Sequence, residues 1–448
     1  MKTGGKPAPV TDWPDDLCRP VRSLPDHRTL RVALSGGLDS LLLLHVAAAC
    51  HGDVVAVHVN HQLQPNHEET EQFCRQICEA LSVPLEIERV TVPQGTGQAG
   101  GLEEAARKAR YRVFERLQAP GDVLLMAHHA DDQLETVLFR LLRGSGVGGL
   151  AGMPTTRPLG RGRLWRPWLA IGRARLEEVA AERELQWQED PSNRSQVHDR
   201  NYLRHAIVPG LKQRWPNLLQ RVAGTARACA DSEHLNQKLA ELHWQQCTDE
   251  QDRLKLNELR NLDRAEQRNL LSWWVGRHGY VAPSLADWAQ VLAELLDARE
   301  DGQPELRGPG YRVRRYRDRL FFVPDGEHPG REAWLEPGPP LRWGSWRLQL
   351  TETAPSATAD HPRPPIRVST RQGGERVRIR PDGPSRPLKT WFQEQGVPPW
   401  ERAALPLVFR QGEGADELIA IGNLWTSGQH SGSAPAAGWR LIVERDCD

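Results

Sequence analysis

The run Ser35-Gly36-Gly37-Leu38-Asp39-Ser40 has the residue types and spacing of an anion site. It follows the apolar run RVALS (31–35) and opens the apolar run LLLLHVAAAC (41–50). A turn of this kind between strand and helix leaves the N–H groups of Gly36, Gly37 and the helix start without partners. With the helix dipole they attract a phosphate. Glycine suits the turn because a Cβ would keep a phosphate from the backbone. The hydroxyls of Ser35 and Ser40 can add hydrogen bonds, and Asp39 can hold Mg²⁺ that bridges phosphate oxygens. No lysine follows the glycines, so this is not a γ-phosphate-transferring P-loop of the ordinary kind. A tight turn with an Asp/Ser cap is the plainer alternative.

A second cluster is His128, His129, Asp131, Asp132 and Glu135, at the end of the apolar run DVLLMAH (122–128). Asp132 and Glu135 are three apart and share a helix face. Acids in a first helical turn also cap the dipole, but the His-His-Asp-Asp grouping is more than a cap requires. Arg107 and Arg110 are three apart, and Arg200 and Arg204 four apart. Each pair suits either an anion or a solvated helix face.

These residues need elements to hold them. RVALS, DVVAVHVN (53–60), PLEIERVTV (84–92) and DVLLMAH read as apolar strands. LLLLHVAAAC, HEETEQFCRQICEAL (67–81), LEEAARKARYRVFERL (102–117) and DDQLETVLFRLLR (131–143) read as helices. This alternation predicts an α/β fold with a doubly wound, mostly parallel sheet, both faces covered. Ligands of such sheets bind beyond the carboxyl ends of the strands, where both clusters fall. The pattern loosens over 145–214, with helices near 173–185 and 200–213. The string Gly144–Gly149 contains GxGxxG but lacks the strand–turn–helix context of a dinucleotide site. It reads as a flexible loop beside the site. Residues 216–300 look mostly helical, YRVRRYRDRLFFV (311–323) and LRWGSWRLQL (341–350) look like strand pairs, and SATADHPRPP (356–365) is a Pro-rich linker. The last part mixes short strands with helices near 388–396 and 400. The expected domains are 1–215 for the catalytic α/β part, 216–355 for a mainly helical middle with a β extension, and 356–448 for a small α+β C-terminal part.

The 448 residues carry 58 Lys+Arg and 58 Asp+Glu, a net charge of zero. Only 7 of the cations are lysines, so 51 are arginines, the planar phosphate-binding cation. They are segregated: 140–214 carries a net +7, 363–402 a net +5, and 285–305 a net −5. Two basic tracts suit a nucleic acid that spans domains. Trp165, Trp168, Trp391 and Trp400 lie inside them, for base stacking or for cores. The seven scattered Cys include no CxxC pair, and no signal-like or membrane-length apolar run is visible, so a cytoplasmic, reduced setting is expected.

SGGxDS after the first strand resembles the signature of the PP-loop ATP pyrophosphatases. Within that superfamily the chain is similar to tRNA(Ile)-lysidine synthetase, through AHHADDQLET (127–136), LEEAARKARYRVF (102–114), RPWL (166–169), EDPSN (189–193), RNYLRH (200–205), RQGGERVRI (371–379) and LKTWFQEQGVPPWER (388–402). The resemblance spans nearly the whole chain. It implies an adenine nucleotide α-hydrolase-like fold. It also implies a ligase that activates C2 of the wobble cytidine of a CAU-anticodon isoleucine tRNA with ATP and Mg²⁺, then joins free L-lysine to it. Carried onto this chain, it places ATP at Ser35–Ser40, His58, Asn60 and His128, and Mg²⁺ at Asp39. The end of the second strand, 57–61, would wall the adenine. Lysine would meet Asp131, Asp132 and Glu135. Catalysis would fall to Asp39, Asp132, Glu135, Arg107 and Arg110. Arg200, Arg204, Arg371, Arg376, Arg378 and Lys389 would contact tRNA. A homodimer is an assembly left open.

Three other readings compete. A PP-loop amidotransferase partner, such as a GMP or NAD synthetase, would lack the basic C-terminal part, and nothing in the sequence resembles a glutaminase. A PP-loop tRNA thiolase needs a persulfide-forming Cys pair or an iron–sulfur set, and no CxxC is present. A non-catalytic RNA-binding protein on the same scaffold would not need an intact Ser35–Ser40 run or the acids at 131–135.

Overall fold

A computed structural model describes residues 12–92, 101–188, 199–283, 288–298, 304–326, 329–352, 365–380, 383–412, 416–427 and 439–445. The EDPSN motif and all but the last residue of the Pro-rich linker lie outside the described residues, as does part of the acidic stretch 285–305. The chain divides into two compact units, 1–239 and 240–448.

In the first unit the strands are β1 (Leu30–Ala33), β2 (Val54–Asn60), β3 (Leu85–Arg89), β4 (Val123–Leu125), β5 (Thr156–Leu159) and β6 (Gly162–Trp165). Their order is β3-β2-β1-β4-β6-β5. Every pairing is parallel except that of β5 with β6. The helices are α1 (Asp15–Arg22), α2 (Leu38–Cys50), α3 (His67–Leu81), α4 (Gly101–Leu117), α5 (Ala130–Leu142), α6 (Val147–Leu150), α7 (Arg173–Glu182), α8 (Asp199–Tyr202), α9 (Val208–Arg214) and the part of α10 (Leu218–Cys247) up to Leu239. Successive strand residues face opposite sides. Leu30, Val32, Val54, Ala56, Val123 and Leu125 join one apolar cluster, with α1, α2 and α7. Val57, Val59, Leu124 and Met126 join the other, with Val113 and Phe114 of α4. The sheet is thus covered on both faces, as the strand–helix alternation implies.

β5 and β6 are not legible in the sequence. β6 is only GRLW, yet it extends the parallel sheet beside β4, and its Leu164 is fully buried. Gly160 forms the hairpin corner at φ +54°, where a Cβ would run into the Glu115 carbonyl. The expected loop 144–149 leads into the one-turn helix α6, which begins at Val147. It is also pinned: Arg140 donates to the carbonyls of Gly149 (2.9 Å) and Gly152 (2.8 Å).

The second unit contains helices Leu256–Arg260, Arg264–Arg277 and Trp288–Asp297 beside an antiparallel sheet that includes the expected hairpin of Tyr311–Tyr316 with Arg319–Pro324. Glu332–Leu335 pairs with Ile366–Ser369, and Trp346–Glu352 with Trp439–Arg445. Both pairings run across residue 356. Trp391 and Phe392 belong to the core of these later sheets.

Candidate active site

Gly36 takes φ +85°, a conformation that glycine adopts without strain. A Cβ there would sit 3.0 Å from the Thr70 side chain. The turn is braced from within. The Ser35 amide donates to Ser40 Oγ (3.1 Å), the two hydroxyls meet at 2.9 Å, and Ser40 Oγ donates to the Gly37 carbonyl (3.0 Å). It is also braced from outside, by the Gln188 amide on the Gly36 carbonyl at 3.0 Å and by Thr70 Oγ1 on Gln188 Oε1 at 2.7 Å. Ser40 is therefore a brace of the turn. Gly37 caps α2 without a side-chain bond, which leaves the first-turn amides of α2 for a ligand.

Asp39 sits in that first turn, and its Oδ1 is buried with no hydrogen-bond partner. An orphaned carboxylate oxygen beside an anion-binding turn fits a Mg²⁺ ion that also binds phosphate. No group of three or more His, Cys, Asp or Glu among the described residues could cage a metal.

His129 caps α5 through a capping box. Its Nδ1 accepts from the Asp132 amide (3.3 Å), and Asp132 Oδ2 accepts from the His129 amide (3.1 Å). Its Nε2 lies 3.7 Å from Asp39 and 3.5 Å from Asp132. Burial opposes charge on this ring, but Asp39, Asp132 and Asp131 outweigh it and raise its pKa. A second proton on Nδ1 would break the cap bond. His129 thus spans the anion turn and the acid cluster. The sequence places it in the cluster without pointing to this role.

The acids are already engaged. Glu135 accepts from Arg204 Nε (2.6 Å) and Nη2 (2.9 Å) as a fork, and from Arg200 Nε at 3.1 Å. Asp132 Oδ1 accepts from Arg200 (3.2 Å) and Arg204 (3.1 Å). Burial pushes the Asp132 carboxyl up, but His129, His128 and Arg200 hold it below its ordinary value. Asp131 accepts from the Arg173 amide at 2.8 Å and pairs with Lys212. The segment 199–214, including a π-helical turn at Leu203–Ile207, supplies all three of these side-chain cations. The sequence offers only the spacing of Arg200 and Arg204 and no sign of Lys212.

His128 is pushed down to about 3, first by burial and then by Arg166, Arg200 and Arg107, with Asp132 opposing. Arg166 Nε donates to its Nδ1 at 3.3 Å, so the ring proton lies on Nε2. Asn60 spends its side chain on structure: Nδ2 donates to Glu71 (3.0 Å) and Oδ1 accepts from the Gln62 amide (2.9 Å). Buried His58 bonds the Leu34 carbonyl at 2.9 Å, under the turn. His61 Nδ1 is left without a partner, and its pKa falls to about 4 through burial and then Arg110 and His58. Arg107 is exposed on α4 and Arg110 half-buried.

In the second unit, Arg371 lies 3.5 Å from Glu375, and Arg376 bonds Ser385 Oγ at 3.1 Å. Arg376, Arg378 and Lys389 are exposed. Trp168 and Trp391 are core residues, and Trp400 packs edge-on against Phe321 and Tyr316.

Residues 15–211 match the PP-loop domain, 254–321 the TilS substrate binding domain, and 366–443 the TilS substrate C-terminal domain. A tRNA(Ile)-lysidine synthase from Alkalilimnicola ehrlichii is 41% identical over 96% of this chain and 97% of its own. One from Pseudomonas aeruginosa is 40% identical over 92% of each. Among solved structures, a U34-tRNA thiolase from Methanococcus maripaludis aligns with a TM-score of 0.41 at 18% identity, over 48% of this chain and 79% of its own. The chain therefore belongs to the tRNA(Ile)-lysidine synthase family.

Proposed function

We propose that the chain joins the ε-amine of free L-lysine to C2 of the wobble cytidine in a CAU-anticodon isoleucine tRNA. ATP first adenylates the cytidine O2, releasing pyrophosphate. The amine then displaces AMP and loses a proton, giving lysidine and moving codon reading from AUG to AUA. The single observation that carries this reading is His129, within 4 Å of both Asp39 and Asp132, because it puts an anion site and an acid site at one sheet edge.

The Gly36–Ser40 amides and the α2 N-terminus would take the phosphates of ATP, and Asp39 would hold Mg²⁺. That ion would neutralise charge on the departing pyrophosphate. The adenine would lie against the end of β2, where His61 Nδ1 is unpaired. Asp132 and Glu135 would receive an ammonium group of lysine, sharing their oxygens with Arg200 and Arg204. Asp131, already paired with Lys212, would take lysine only by exchange. Neutral His128 has its lone pair committed to Arg166, so it does not serve as the base. Arg376, Arg378 and Lys389, together with Arg371, would follow tRNA phosphates.

The three-part division at 215 and 355 is part of this proposal, as is a cytoplasmic setting. No described helix is long and apolar enough to cross a membrane. The exposed Leu235, Leu239 and Leu242 on α10 are what supports a homodimer. The thiolase reading is disfavoured. Burial pushes Cys74 and Cys78 up to about 12 and 11, which leaves them poor thiolates.

The test is incorporation of labelled lysine into an unmodified isoleucine tRNA with a CAU anticodon. We expect ATP- and Mg²⁺-dependent labelling with release of pyrophosphate. No label and no pyrophosphate at saturating ATP would overturn the enzymatic reading.

A further inference from the structure

Three arginines, Arg107, Arg157 and Arg166, gather around Tyr111, and a fourth, Arg140, lies near enough to Arg107 to feel its charge. Arg107 and Arg157 each lie 5.1 Å from the centre of the Tyr111 ring. Arg166, only 3% exposed, bonds His128 with Nε and the Pro154 carbonyl with Nη1 at 2.8 Å. Arg140 is held by the carbonyls of Gly149 and Gly152. Burial and then Arg107 weaken the hold of Arg140 on its proton. Burial does the same to Arg166, with Arg157 and Arg107 adding to it and Tyr111 opposing.

None of the four makes an ion pair with a carboxylate among the described residues. Arg200, Arg204 and Lys212, a short way off, are all paired. Like charges brought together repel, most strongly where water is excluded. Carbonyls hold Arg140, Arg157 and Arg166 in place but do not cancel their charge. Two of the guanidiniums lie over one tyrosine ring, and a planar donor fork is what a phosphate accepts bidentately.

We propose that Arg107, Arg140, Arg157 and Arg166, arranged around Tyr111, bind the RNA phosphodiester backbone next to the nucleotide being modified. Arg166 links this site to the reaction centre through His128, so a bound backbone would set the depth at which the target base enters. The proposal rests on the tRNA-modifying reading above, and it adds a site on the first unit to the basic surface of the second.

The test measures affinity for the CAU-anticodon isoleucine tRNA across a potassium chloride series, and affinity for ATP, in the full chain. Arg157→Gln is the first variant. Arg140→Gln serves if Arg157→Gln unfolds, and thermal melting reports the fold of each. We expect tRNA binding to weaken about tenfold near 0.1 M salt. The slope of log affinity against log salt should fall by about one unit, as when one phosphate is no longer neutralised. ATP affinity should stay within about twofold, and Arg157→Lys should recover part of the tRNA affinity. Unchanged tRNA affinity and slope would overturn the proposal. So would a loss of ATP affinity with tRNA binding intact, which would assign the site to the nucleotide's phosphates. Lysidine formation by the unaltered chain is followed in parallel. If lysidine forms and the slope does not move, only this site fails. If no lysidine forms but the slope moves, the RNA site stands and the reaction assignment fails.

Discussion

Asp39 and Glu71 show how differently two carboxylates on neighbouring elements are used. Asp39 keeps one oxygen buried and unpartnered beside the anion turn. Glu71 spends both oxygens, accepting from Arg89 at 2.8 and 3.1 Å, from Arg75 at 3.0 Å and from Asn60 at 3.0 Å. Replacing Asp39 by Asn keeps the shape and removes the charge. We expect pyrophosphate release to fall by about 10²–10³-fold, the scale of removing one transition-state interaction, with tRNA affinity nearly unchanged. A loss of tRNA binding instead would mean Asp39 belongs to RNA recognition. Glu71 should matter for stability. Its bonds to Arg89 foremost, then to Asn60 and Arg75, hold its carboxyl at about 2 against the burial that opposes them. A lowered folded-state pKa stabilises the fold above the unfolded value, about 4.3. That stabilisation disappears as pH falls towards 2. Glu71→Gln should therefore lower the urea midpoint at pH 7, and the gap to the unaltered chain should narrow between about pH 4.5 and pH 2. A gap that stays constant with pH would show that the charge of Glu71 is not what stabilises the end of β2.

At the scale of elements, the β1–α2 turn depends on one backbone conformation. A side chain at Gly36 would face the left-handed penalty of about 1–2 kcal/mol and close approach to Thr70. We expect Gly36→Ala to weaken ATP binding about tenfold or more while shifting the melting temperature by only a few degrees. A normal ATP affinity would mean that the turn does not hold the phosphates. This turn and the α5 start are legible because each is a short continuous string whose neighbours announce a strand and a helix. The partners of that string are not. Arg204 reaches Glu135 across 69 residues, Lys212 reaches Asp131 across 81, and Thr70 reaches Gln188 across 118. Sequence spacing does not encode such pairs, and only the closed sheet brings them together. β5 and β6 escape for a different reason: the four-residue strands TRPL and GRLW have too few apolar positions to show a period of two. The two Trp residues in the basic tracts that prove to be core, Trp168 and Trp391, illustrate the converse. Composition marks a tract as basic without saying which side chains face inward.

For the whole molecule, zero net charge proves to be an average over unlike surfaces. In the tract 140–214, Arg173, Arg175, Arg200 and Arg204 are used by internal carboxylates, whereas Arg140, Arg157 and Arg166 are not. The tract 363–402 divides similarly, since Arg367 and Arg386 pair with Asp416 and Glu394. Among the described residues, Arg378 and Lys389 make no ion pair. Removing 356–448 would be a poor test of that surface. The cut would strip Glu332–Leu335 and Trp346–Glu352 of their partner strands and expose Trp346, Leu348 and Leu350, which are buried. Exposed cations can be neutralised without touching these sheets. Arg376→Gln, Arg378→Gln and Lys389→Gln together should leave the melting temperature nearly unchanged, since exposed charges contribute little to stability. If these side chains meet the RNA backbone, tRNA affinity should fall and the salt slope should become shallower by about one unit for each phosphate left without its cation. A triple variant with the slope of the unaltered chain would mean that the C-terminal basic surface serves the fold and not the RNA.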